Sequence, residues 1–358
     1  MKDFSAHFPI LDQYTYLNTA SCGLISKQLV EWRNKHDINL MEGGSLFRDL
    51  HKAHITQIRR DTASFFGTKE SNVALVPNFS FGLNTLIDGM SQGLNVLLIE
   101  RDYPSVNWPF EQRDFNVSYV QMNEQLEANI SEAFQKHPPD IFAFSMVQYV
   151  SGLLIDIDFL SDLKRKYPQT LFITDGTQFL GTSQFNFDES PLDIIGASAY
   201  KWLISGYGNG FFLIKEEAQQ KIHPKTIGFN SADAQFSKKN DIEFVGHLEP
   251  GHQDTLNYGS LGESLKFLNE LGMDKISNHL EKLTISAKNE FTKLGLLDPM
   301  IVNRKNQSTI FNIKGDASLF EKLKLDGIIG SLRGDGMRVS FHFYNTENDL
   351  QKLLSVLK

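Results

Sequence analysis

One cysteine in 358 residues, Cys22, excludes an intrachain disulfide framework and a cysteine-rich metal site. Basic residues are short as well: 35 Lys and Arg stand against 43 Asp and Glu, giving a formal net charge of −8 and a pI near 5.7. Affinity for a phosphate backbone depends on clustered Lys and Arg, so nucleic acid is not an expected partner. No apolar run approaches the roughly 20 residues needed to span a bilayer, and the opening Met1-Lys-Asp-Phe-Ser-Ala-His lacks an apolar h-region. The expectation is a cytoplasmic protein with no membrane partner. No internal repeat, low-complexity tract or charge block stands out. The ten His residues are scattered, and no His/Asp/Glu spacing matches a metal site.

What is present is a large apolar fraction, 41%, in a chain long enough for one large domain and a smaller one. The 28 Phe residues read as core filling. Short apolar runs read as strands at 73–76, 96–99, 117–121, 141–146, 171–174, 193–198 and 210–214. Helical patterns at 46–66, 80–90, 124–136 and 158–167 fall between them. Strands apolar on both faces that alternate with helices predict an α/β fold whose mainly parallel, seven-stranded sheet is covered on both sides, with ligands at the carboxyl ends of the strands. Past residue 255 the pattern changes to helices at 256–271 and 274–294, then strand, helix, strand, strand and helix. The expected division is a segment 1–25 packing beside a small α+β C-terminal domain, 251–358, with a large domain over 26–250 between them.

Two residues carry the strongest chemistry. Asp175 ends the apolar run Leu171-Phe-Ile-Thr, and Lys201 follows another in Ser198-Ala-Tyr-Lys-Trp-Leu. A buried amine and a buried carboxylate are what a pyridoxal 5'-phosphate (PLP) site requires. The lysine joins the cofactor's aldehyde, and the acid keeps the ring nitrogen protonated so the ring can absorb electrons. Gln178, three residues past Asp175, is placed to meet the cofactor's phenolic oxygen, and Ser198 and Tyr200 its phosphate. Asn78, Phe79 and Ser80 open a helix, where free N–H groups favour a phosphate, although the same residues also fit an ordinary N-cap. Tyr103, at a strand end ahead of a turn, could lie over the cofactor ring, and it also fits a plain packing role. Asp175 equally fits a turn residue capping the next helix.

In order along the chain, Tyr16-Leu-Asn-Thr-Ala, Asp175-Gly-Thr-Gln, Ser198-Ala-Tyr-Lys-Trp, Glu249-Pro-Gly-His-Gln-Asp-Thr and Arg338-Val-Ser-Phe-His-Phe-Tyr-Asn-Thr resemble the class V aminotransferase family. This family of fold-type I PLP enzymes includes cysteine desulfurases, selenocysteine lyases, isopenicillin N epimerase-like proteins and kynureninase. The resemblance runs from about residue 10 to 357. It implies a homodimer with the active site at the subunit interface, and a Gly251–Thr255 loop whose Thr255 reaches the partner subunit's phosphate. Arg338 aligns with the family's carboxylate-binding arginine, and Arg333 is a second candidate. Asn18 and Arg48 are candidates for the substrate pocket.

Two departures matter. Tyr200 stands where the family usually has a histidine before the lysine, and Tyr103 stands at the ring-stacking position. The loop Gly330-Ser-Leu-Arg-Gly-Asp-Gly-Met-Arg also lacks the nucleophilic cysteine of the desulfurase branch. Cys22, far away in sequence, reads as a small buried residue. The expected function is therefore PLP-dependent transamination of a small amino acid, with a lyase or an epimerase as the alternative. Retention of both Lys201 and Asp175 speaks against a non-catalytic binding relative.

Overall fold

The computed structural model describes residues 4–233 and 235–358. Seven strands form the central sheet in the order Val73–Val76, Gly210–Ile214, Ile194–Ser198, Leu171–Asp175, Ile141–Ser145, Asn95–Ile99, Asn116–Val120. Only Gly210–Ile214 runs against its neighbours; the other pairings are parallel. The α/β class and the mainly parallel seven-stranded sheet agree with the sequence reading.

The continuous apolar runs follow from burial on both faces. Leu97, Phe142, Phe172, Ile195 and Phe211 pack into one apolar cluster, while Val96, Ile141, Leu171, Ile194 and Phe212 pack into another. Side chains alternate between faces along a strand, so a sheet covered on both sides needs apolar residues at every position. Phenylalanine fills much of this space. Phe142 and Phe144 stack at 4.4 Å between centroids, and Phe172 meets Phe142 edge-on at 5.7 Å. The edge strand Asn116–Val120 is mostly solvent-facing.

A three-stranded antiparallel sheet, Ser331–Arg333, Gly336–Ser340 and Ile310–Lys314, forms the C-terminal part. The N-terminal segment joins it: Thr15–Tyr16 pairs in parallel with Ile328–Ile329, and Asn18 bridges to Ser340. Residues near both ends of the chain thereby reach the carboxyl edge of the central sheet.

Two local expectations are corrected, and one helix had no counterpart in the sequence analysis. The helix expected over 46–66 is two, Ser45–Arg48 and His51–Phe65. Helix Lys27–Gly43 carries no clear periodic signal, because only Leu29 and His36 of its residues are buried while Val30, Ile38, Leu40 and Met41 are exposed. Tyr103 precedes a helix, Pro104–Glu111, rather than a simple turn, with Pro104 at the position where a missing N–H costs nothing.

Candidate active site

Adjacent parallel strands Leu171–Asp175 and Ile194–Ser198 end side by side, and the chain beyond each turns into one pocket. Asp175 is 5% exposed, and its Oδ1 accepts the Thr177 N–H at 2.7 Å. Burial raises its carboxyl to about 6, against the pull of Thr177 and of Lys201. Lys201 is 7% exposed. Burial lowers its amine to about 8, opposed by Asp175 and assisted by Arg338 and Arg333. An acid that burial keeps partly protonated and an amine that burial keeps partly neutral are each held far from their behaviour in water.

The phosphate candidates gather nearby. Asn78 caps helix Phe79–Ile87, its Oδ1 accepting the Phe81 N–H at 2.9 Å. The Phe79 N–H donates to Ser198 Oγ at 3.0 Å, and the Ser198 N–H donates to Thr177 Oγ1 at 3.0 Å, so helix end and strand ends are knitted together. Phe79, Ser80, Ser198 and Tyr200 line the pocket, and the Ser80 hydroxyl donates to Ser105 Oγ at 2.8 Å. Tyr200 stacks on Tyr207 at 4.5 Å, and burial pushes its hydroxyl well above the ordinary range. Tyr103 meets Tyr149 edge-on at 5.2 Å across the pocket.

Gln178 lies in the lining but is tied at both ends: it donates to the Ala20 carbonyl at 2.9 Å and accepts the Trp202 indole N–H at 2.9 Å. Arg338 is 3% exposed, with Nη1 donating to the Tyr149 carbonyl at 2.6 Å and Nη2 to Ser21 Oγ. Its Nε and the Asn18 Oδ1 are buried polar atoms without a partner among the described residues. Arg333 is exposed on the other strand of the same hairpin. Arg48 is exposed and outside this pocket. Thr255, the first residue of helix Thr255–Leu271, bonds His36 Nε2 at 2.9 Å in a separate cleft beside Trp32 and Phe47.

Four residues of the site escaped the sequence reading. Thr177 sits between two chosen residues and had a signal in Asp175-Gly-Thr-Gln. Tyr149 lies just past the carboxyl end of strand Ile141–Ser145, where the strand-end rule points. Asp102 is 7% exposed and accepts the N–H groups of Tyr103 at 2.6 Å and Ser145 at 2.7 Å. Ser145 pairs in register with Asp175. Cys22 is half-buried rather than buried, and its neighbour Gly23 donates its N–H to the Tyr200 carbonyl at 2.9 Å. Among the described residues no cluster of His, Cys, Asp or Glu could hold a metal, and no helix is long and apolar enough to cross a membrane.

A buried amine, a buried acid, a helix N-terminus and a tyrosine converging on one pocket fit PLP. The sequence matches the family Aminotransferase class-V over residues 25–353, and the chain belongs to that family. Its cofactor is pyridoxal 5'-phosphate, and it is an enzyme of this PLP-dependent family. The uncharacterized aminotransferase YcbU of Bacillus subtilis is similar at 21% identity, over 96% of this chain and 94% of that protein. Isopenicillin N epimerase of Amycolatopsis lactamdurans is also 21% identical, with the same shares covered. Among solved structures, the apo cysteine desulfurase of Thermococcus onnurineus NA1 shares the fold with a TM-score of 0.87 at 17% identity, over 100% of this chain and 98% of that one.

Proposed function

We propose that this chain is an aminotransferase acting on a small amino acid, working in the cytoplasm as a homodimer. The observation that carries the reading is the convergence of Lys201 and Asp175, both buried, in one pocket. When bound, PLP supplies an aldehyde that captures an amine and a ring that takes up the electrons of a breaking Cα bond. Lys201 would hold the cofactor, and once the substrate amine has displaced it, its freed Nζ, which burial lowers to about 8, would take the proton from the substrate Cα. Asp175 would set a negative charge at the ring nitrogen. Phe79 and Ser80, with Asn78 capping their helix, hold the phosphate together with Ser198 and Tyr200. Tyr103 would cover the ring, and Gln178, fixed by Trp202 and Ala20, would meet its phenolic oxygen. Arg338 grips the substrate carboxylate, its fork geometry suiting two parallel bonds, with Asn18 beside it. Thr255 and Arg48, remote from this pocket, are assigned to the partner subunit's site, which is why a homodimer belongs to the proposal.

Amino transfer is favoured over persulfide chemistry by the hairpin joining Ser331–Arg333 to Gly336–Ser340, whose tight turn holds no thiol. One observation keeps a lyase as the second reading: Cys22 is half-buried on the segment that packs against the Lys201 backbone. Purified holoenzyme mixed with single amino acids should release the matching 2-oxo acids stoichiometrically, then turn over when a 2-oxo acid acceptor is added. Sulfide and pyruvate from cysteine with no acceptor present would replace the transferase with the lyase, and loss of optical rotation from one amino acid would replace it with the epimerase.

A further inference from the structure

Arg333 and Arg338 are held on one face of one hairpin, and neither forms an ion pair among the described residues. In the antiparallel register Ser331 stands opposite Arg338, and Arg333 stands opposite Gly336. Residues opposite one another, and residues two apart on a strand, share a face. Ser331, Arg333 and Arg338 therefore face the same way, toward the N-terminal segment. Ser21 confirms the direction: its Oγ accepts from Arg338 Nη2 and lies 3.5 Å from Ser331 Oγ. On the other side, Arg338 Nη1 reaches the carbonyl of Tyr149, which lines the pocket. Gly334, next to Arg333, sits so close to Val150 that an added Cβ would stand 3.0 Å from its Cγ1, which ties the hairpin tip to the same pocket wall.

Asp335 sits at the turn of this hairpin and Asp175 lines the pocket, yet neither acid pairs with Arg333 or Arg338. Arg338 is buried with neutral oxygens on both terminal nitrogens and nothing on Nε. A guanidinium removed from water without an anion is costly, so the site as built is short of negative charge. Arg333 adds a second cation at the rim, and both lower the Lys201 amine further. One carboxylate would leave one guanidinium without an anion; a dicarboxylate supplies one to each.

Building on the amino-transfer reading above, we propose that the substrate is a dicarboxylic amino acid of the aspartate or glutamate type, its α-carboxylate on Arg338 and its side-chain carboxylate on Arg333. The test compares aspartate and glutamate with norvaline, which has glutamate's chain length without the second carboxylate, on the holoenzyme. Binding of glutarate and of valerate, which do not react, is followed by calorimetry. A diacid should exceed norvaline in kcat/KM by about tenfold or more, and Arg333→Gln should cut that preference by about 10- to 100-fold, the range of one charged hydrogen-bonded contact. Arg338→Gln should lower diacid and norvaline together. Glutarate should bind more tightly than valerate, and Arg333→Gln should remove the difference. The proposal is overturned if norvaline equals both diacids, if Arg333→Gln keeps the full preference, or if glutarate binds no better than valerate. Equal turnover of norvaline and the diacids leaves amino transfer standing and removes only the diacid. Arg333-dependent glutarate binding without any turnover supports the diacid site and removes amino transfer.

Discussion

Gly23 and Lys201 touch through their backbones: a Cβ added at Gly23 would stand 1.9 Å from the Lys201 carbonyl oxygen. The N-terminal segment thus rests directly on the chain that presents the Lys201 amine, and it can do so only without a side chain. Gly23→Ala should force these backbones apart. The expected result is a fall in kcat of at least tenfold with weakened cofactor binding, since small misplacements of reacting groups cost large factors in rate. Wild-type kcat and cofactor affinity in Gly23→Ala would show that the contact is not needed to place Lys201.

Asp102 ties the loop bearing Tyr103 to the end of the strand beside Asp175, through its bonds to the Tyr103 and Ser145 N–H groups. Burial raises its carboxyl above the ordinary range, against the pull of the Ser145 hydroxyl and of the Ser145 and Tyr103 N–H groups. Replacement by Ala leaves two buried donors unpaired. Asp102→Ala should lose about 1–3 kcal/mol of stability per orphaned donor and bind PLP less tightly, with Asp102→Asn recovering part of both. Denaturant titration and cofactor titration measure the two effects, and an Ala variant as stable as wild type would contradict them.

His342 is fully buried, with Nε2 3.0 Å from the carbonyl of Trp202, the residue after Lys201. Burial lowers its value from 6.5 to about 3. Between those limits the unfolded chain binds a proton that the folded chain does not. Stability from this group is therefore complete above pH 6.5 and falls as the pH drops through the window, by up to about 1.4 kcal/mol per pH unit. The variant His342→Gln should show a shallower loss of stability between pH 6.5 and 4.5 than wild type. Identical slopes would mean that His342 charges without unfolding.

The sheet was readable because its central strands are buried on both faces, so that runs such as Val73-Ala-Leu-Val and Leu171-Phe-Ile-Thr leave an uninterrupted apolar trace. Helix Lys27–Gly43 left none, since Leu29 is buried but Val30, Ile38, Leu40 and Met41 face outward. Lys201 and Asp175 were readable because a charged residue at the end of such a run needs a reason to be there. Asp102 was not, because its role is to accept N–H groups from Tyr103 and from Ser145, 43 positions away, and no local pattern encodes that. Cys22 misled for the same reason: its neighbour Gly23 packs against Lys201 through backbone contact that composition does not record.

The attachment of the cofactor to one particular amine is the point on which the chemistry turns. Holoenzyme reduced with borohydride, digested and sequenced by mass spectrometry should carry the pyridoxyl phosphate mass on Lys201, and Lys201→Ala should carry none. The same mass on another lysine, with Lys201 unmodified, would contradict the assignment.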